Sequence, residues 1–241
     1  MWPALDRSAF QGVRLAVPDL AAAVGFARQV LGLERASSEA ADTQDIARFR
    51  LGAHWLAFER QSAEILPTLS SNHLATLHWR CSDLRRQRTL LTQLGFDSQD
   101  ESELDPVPPV RVVAAETGAC ALQWDAEAAP IGGDLPSSSG ITGVVLHTRA
   151  PERAAAHWAQ IFQVSVERHA TGVPRLVLDR LSVQFVFADE RAGGIGRITL
   201  ALDDAGAVRD RAIASGATVD GDAIAIAGLT ISLANAPASA R

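Results

Sequence analysis

Two histidines and two pairs of arginines carry most of the chemistry that this sequence offers. His78 stands in TLHWRC and His147 in GVVLHTR, and in both runs one parity is apolar, as along a strand with one wet face. On the other parity lie Arg14 and Arg80 in the first half of the chain, and Arg149 and Arg197 in the second. Ala16, Thr76, Trp55, Glu59, Gln123 and Asp125 complete the first set; Ser182, Gln184, Thr199 and Ser232 complete the second. A guanidinium pair in a partly dehydrated cleft suits a carboxylate or phosphate, which it holds through parallel charge-assisted hydrogen bonds. An imidazole beside it can serve as general base, so His78 and His147 are the catalytic candidates. Arg14, Trp55, Arg80, Gln123, Arg149, Gln184 and Arg197 are the substrate-binding candidates, with Trp55 as an apolar wall. A purely structural reading competes: arginines on a wet sheet face pair with Glu59 and Asp125, and the histidines are neutral and hydrogen-bonded.

Other catalytic signatures are missing. The chain has no G-x-S-x-G elbow, H-E-x-x-H, C-x-x-C or P-loop, and no tyrosine for phenolic acid chemistry. GGIG at 193–196 precedes a strand, which makes it a turn rather than a phosphate cradle. Cys81 and Cys120 lie far apart on apolar parities and read as buried structural thiols of a reducing compartment.

The element that must position these groups recurs along the chain. In Gly12 to Leu33, a period-2 run (Val13, Leu15, Val17) stops at Pro18, Asp19 caps a helix, and Gly32 ends it. Leu20, Val24, Ala27, Val30 and Leu31 fall at helical spacing, so the helix lays an apolar stripe on its own strand. Gly143 to Val164 fits the same template without a gap, and shorter versions start at Thr76 and Arg197. Asp83 and Asp204 are their caps, Gly95 and Gly216 their closing glycines. The likeness of first to third and second to fourth suggests a two-module unit that was later duplicated.

Each module continues with three further strands. In the first these are Leu33–Ala36, Asp45–Leu51 and Trp55–Glu59; in the second, a strand near Phe96 and a hairpin of Val110–Ala115 and Ala121–Trp124 turning at Thr117 and Gly118. The third has Val164–His169, Val173–Leu178 and Ser182–Phe187 with a turn at Asp179 and Arg180; the fourth has Thr218, Ala223–Ala227 and Leu229–Ala234 around Gly228. The expected organisation is a first domain, 1–127 (modules 10–66 and 72–127), a Pro/Gly/Ser-rich linker, 128–140, and a second domain, 141–241 (modules 141–190 and 194–235).

Four strand–helix–three-strand modules, with VPDLAAAVGFARQVLGL as the most specific stretch, resemble the vicinal oxygen chelate superfamily of glyoxalases, bleomycin-resistance proteins and extradiol dioxygenases. The resemblance implies an α+β fold: βαβββ modules paired into two glyoxalase-like domains, their concave sheets around a cavity and their helices outside. It also implies a divalent metal, held by a His or Gln early in each first strand and a Glu in each last strand. At those positions this chain has Gly12, Thr76, Gly143 and Arg197, then Ala57, Gln123, Gln184 and Ser232. None is His or Glu, and isolated amides do not make a metal site. The usual metal centre is therefore expected to be absent, and no cofactor is expected.

A net charge of -6 and no Arg/Lys cluster interleaved with aromatics argue against a nucleic-acid partner. The absence of a signal-type or membrane-length apolar run argues against export and membranes. The expectation is a cytoplasmic monomer or homodimer that binds a small, anionic organic metabolite. The alternatives are a metal-dependent lyase, isomerase or dioxygenase using donors shifted along the strands (His78, His147, Glu59), and a protein that sequesters its ligand without catalysis.

Overall fold

The computed structural model describes residues 9–36, 45–61, 75–97, 99–100, 108–126, 139–189, 193–226 and 229–237. Most of the expected linker, the polar stretch after Gln61 and the turn at Ala227 and Gly228 lie outside them.

The fold is a mixed α+β arrangement around two large sheets. At the centre of the first, β1 (Ala9–Val17) and β4 (Thr76–Cys81) run antiparallel. Each has the last strand of its own module parallel beside it, β3 (His54–Arg60) and β7 (Ala121–Ala126). With β2 (Ile46–Leu51), β5 (Gln99–Asp100) and β6 (Val110–Val112) the order is β2-β3-β1-β4-β7-β6-β5. The second sheet repeats the scheme around β8 (Gly140–Thr148) and β12 (Gly194–Leu202), again antiparallel. Their parallel companions are β11 (Leu181–Phe187) and β15 (Leu229–Asn235). β9 (Glu167–Arg168), β10 (Pro174–Leu178), β13 (Thr218–Asp220) and β14 (Ala223–Ile226) give the order β13-β14-β15-β12-β8-β11-β10-β9.

The first strands run into helices as their sequences dictate. Asp19, Asp83 and Asp204 each accept a 2.9 Å hydrogen bond from the backbone N–H three residues on, capping α1 (Leu20–Gln29), α2 (Leu84–Gln93) and α5 (Ala205–Ala214). Such a cap is worth about 1 kcal/mol. In α4 (Pro151–Phe162) the capping position holds Ala150, which offers no side-chain bond, and Pro151 opens the helix instead.

The helices bind the two halves into one core. Trp158 of α4 donates from Nε1 to the Thr117 carbonyl at 3.2 Å. Phe162 packs its ring 4.6 Å from Trp79 and 5.9 Å from Trp124, on the helix side of the first sheet. Arg211 of α5 donates to the Val30 carbonyl, which lies at the C-terminal end of α1, at 2.8 Å. His54 accepts at Nδ1 from the Ile141 N–H at 2.9 Å, tying β3 to the start of β8.

Local differences from the expected elements have physical causes. Leu33–Ala36 forms only an isolated bridge, Arg35 to Phe49, so the first module's second strand is vestigial. The expected strand through Ala115 stops at Val112, and α3 (Ala114–Thr117) follows. Thr117 Oγ1 donates to the Cys120 carbonyl at 2.6 Å and Gly118 takes a left-handed φ of 73°, so the segment read as a hairpin turn is the end of a helical turn. The strand near Phe96 begins only at Gln99, and that from Val164 shrinks to Glu167–Arg168.

Candidate functional site

On the first sheet, the parity opposite the helices gathers much of the expected set. Arg14 of β1 lies 3.5 Å from Glu59 of β3 and donates to Gln123 Oε1 of β7 at 3.4 Å. Gln123 donates to Asp125 Oδ1 at 2.8 Å, and His78 Nδ1 is 3.1 Å from Asp125 Oδ2. Trp55 lies against the imidazole with ring centroids 4.7 Å apart, and the Arg48 guanidinium of β2 stands 4.3 Å over the indole. Arg80 is half-buried at the end of β4, opposite Ala9 and beside Asp125 in the ladders.

This cluster fills its own space. His78 is 3% exposed, Trp55 5% and Gln123 8%. Burial pushes the His78 imidazole below its ordinary pKa, with the Arg14 and Arg48 charges adding to it and Asp125 opposing. Burial alone would raise the Asp125 carboxyl, yet the hydrogen bonds from His78 and Gln123 and the Arg48 charge hold it below its ordinary value. The pair is thus a neutral imidazole with Nδ1–H donated to a carboxylate. Its Nε2 is buried without a hydrogen-bond partner.

The open space lies elsewhere. A cavity of about 1070 Å³ occupies the junction of the two halves, at the ends of β1, β3 and β8. Ala16, Glu59, Thr76 and Arg111 line it from the first half, with the α3 segment, which brings Glu116. His147, Arg149, Arg153 and His157 line it from the second. Arg149 precedes α4, and Arg153 and His157 follow at intervals of four, on one face of the helix whose N-terminus has no side-chain cap. Four arginines, Arg60 included, face three carboxylates, Asp189 being the third, among the described lining residues. Alanines supply much of the remaining wall.

Of the nine candidate residues, Arg14, Trp55, His78 and Gln123 come together in the buried cluster with Arg80 at its margin, and His147 and Arg149 in the cavity. Gln184 stands opposite Arg175 on the second sheet, and Arg197 is exposed at an irregularity of β12; neither lines the cavity. Arg48, Arg111, Arg153 and His157 are additions that the structure makes. The i, i+4 spacing of Arg153 and His157 was the one sequence signal for them; nothing in the sequence set Arg111 apart.

The chain, with its two sheets and few helices, matches the fold of solved glyoxalase and extradiol dioxygenase structures. It is similar to the Mn(II)-bound glyoxalase from Novosphingobium aromaticivorans at 14% identity and a TM-score of 0.68, over 95% of this chain and 82% of that one. A catechol 2,3-dioxygenase matches at 13% identity and 0.65, over 99% and 91%. Homoprotocatechuate 2,3-dioxygenase from Arthrobacter globiformis matches at 15% and 0.68, over 96% and 80%. No family model and no curated protein matches the sequence.

The metal that this fold implies does not fit the residues at the corresponding corners. A Cβ on Gly12 would strike the Trp55 carbonyl oxygen and lie 2.5 and 2.8 Å from its indole carbons, so only glycine stands there. A Cβ on Gly143 would lie 3.0 Å from Thr199 Oγ1, and Arg197 is itself a cation. Of the shifted donors, Glu59 faces Arg14 and His78 Nδ1 faces Asp125. Among the described residues, no group of three or more His, Cys, Asp or Glu is arranged to hold a metal ion. None of the described helices is long and apolar enough to cross a membrane.

Proposed function

We propose that this protein binds a small organic anion, without a metal at the superfamily's usual corners, in the cavity between its two halves. The observation that carries the reading is the convergence of Arg111, Arg149 and Arg153 with His147 and His157 on one cavity in a chain of net charge -6. Guanidinium groups behind a low-dielectric wall of alanines favour a carboxylate or phosphate. The uncapped N-terminus of α4 adds its backbone dipole in the same sense. The alanine surfaces suit an apolar body attached to the anionic head. A volume of about 1070 Å³ takes a metabolite-sized molecule.

If the site is catalytic, the candidate base is His147, which lines the cavity, whereas His78 is enclosed by Trp55 and Asp125. If it is not, the same cavity sequesters its ligand. A cytoplasmic setting belongs to this reading, and the two cysteines, both buried thiols, are consistent with it.

Thermal-shift screening against carboxylates and phosphates is the first test: stabilisation is expected to rise with ligand concentration as mass action requires. Arg149→Ala and Arg153→Ala are each expected to weaken the bound anion by about tenfold or more, the worth of a charged hydrogen bond. No stabilisation by any anion would overturn the reading. Stoichiometric Fe, Mn, Ni or Zn in elemental analysis of the purified protein would overturn its metal-free part.

A further inference from the structure

The two ends of the cavity descend from equivalent positions, and they have been filled differently. Counting from the helix caps, Ala16 in β1 corresponds to His147 in β8, and Ala75 before β4 corresponds to Gly196 in β12. The first half thus places two methyl groups where the second places an imidazole over a glycine. Gly196 is the extra residue of a β-bulge: the ladder passes from Ile195 opposite Leu146 to Arg197 opposite Val145, leaving Gly196 unmatched. A Cβ on Gly196 would overlap His147 Cε1 and lie 2.5 Å from Nε2 and 2.8 Å from Nδ1. The nitrogen-bearing edge of the ring therefore rests in space that any other residue at 196 would occupy.

Bulges are a recurrent means of re-aiming a side chain beside a site. This one seats His147 at the cavity wall, two residues before Arg149, while the neighbouring apolar side chains of β8, Val144 and Leu146, stay in the core.

We propose that His147 is the ligand-contacting hydrogen-bond group of the cavity, engaging an oxygen of the carboxylate or phosphate head beside Arg149, and that Gly196 is its positioning residue. The proposal rests on the reading of the cavity as an anion site.

The test is a double-mutant cycle on the full chain, with benzoate and inorganic phosphate as probes, reading both Kd by calorimetry and Tm. His147→Ala is expected to raise the Kd of the probe that binds by about tenfold, the worth of a hydrogen bond to a charged group. Gly196→Ala, which displaces the ring, is expected to raise it comparably. In the His147→Ala background the added Gly196→Ala is expected to change neither Kd nor Tm, because the methyl then meets no imidazole. If Gly196→Ala lowers Tm but leaves Kd unchanged, the contact is packing only and the proposal falls while the anion cavity stands. If His147→Ala leaves Kd unchanged, it falls equally. Should neither probe bind the wild-type chain, this inference falls, and the anion reading falls with it where the wider screen of carboxylates and phosphates also finds no stabilisation.

Discussion

The two sheets follow one strand order, yet their helix-free faces are filled in opposite ways. On the first, Trp55 and His78 occupy positions that Ser182 and Thr199 occupy on the second; Gln123 corresponds to Ser232, and Arg14 to Val145. The first set is packed and hydrogen-bonded, with Trp55 and His78 almost wholly buried. The second is made of small or unbranched side chains, all half-exposed. Gly12 admits the indole on one face, whereas Gly143 on the other faces the small side chain of Thr199 and, farther off, the Ser182 carbonyl. One copy has thus turned its face into a second core and the other has left it shallow. The cavity of about 1070 Å³ lies instead at the seam between the copies.

The sharpest way to break this comparison is to remove the indole. Trp55→Ala is expected to cost about 3–5 kcal/mol in urea denaturation, the range for emptying a buried aromatic site. Ser182→Ala, at the matching position of the second face, is expected to stay within about 0.5 kcal/mol of wild type. Similar costs for both would mean that the two faces do not differ in kind.

Sequence periodicity carried the strands, the caps and the division of residues between faces, because each rests on spacing within one module. Arg14, Glu59, His78, Gln123 and Asp125 could be gathered on one face by parity alone, and the structure joins them. Parity could not say whether that face was open. The Arg48 stack on Trp55 and the collision at Gly12 depend on volumes across three strands, which leave no periodic trace. The cavity was illegible for a related reason: its walls are strand ends and a helical turn from different modules, and most of them are alanines. α3 looks like a hairpin turn in the sequence because Thr117 and Gly118 suit either role.

A milder disturbance addresses the polar half of the first face. Asp125 accepts from both His78 and Gln123, and Asp125→Ala strands two donors, that of His78 deeply buried. The expected loss is about 1–3 kcal/mol. Gln184→Ala on the second face, where the surroundings are half-exposed, is expected to cost no more than about 0.5 kcal/mol. Equal losses would erase the distinction between a built network and a wet surface.

The smallest effect is the dependence on pH, and it too separates the halves. His54 and His78 both belong to the first sheet, and burial is the leading cause that pushes each imidazole below its ordinary value of 6.5. For His54 the Arg180 charge adds to that and Asp179 opposes it, while its Nδ1 already accepts the Ile141 N–H and so cannot take a proton without losing that bond. The unfolded chain binds these protons below about pH 6.5 and the folded chain does not. Stability is therefore fully present above that pH and declines as pH falls towards the folded values, by at most about 1.4 kcal/mol per unit for each histidine. His54→Asn supplies Oδ1 as an untitratable acceptor for Ile141, so its stability is expected to fall less than that of wild type between about pH 7 and about pH 5. Parallel curves for the two proteins would show that His54 titrates alike folded and unfolded, and that the tie between β3 and β8 is indifferent to protons.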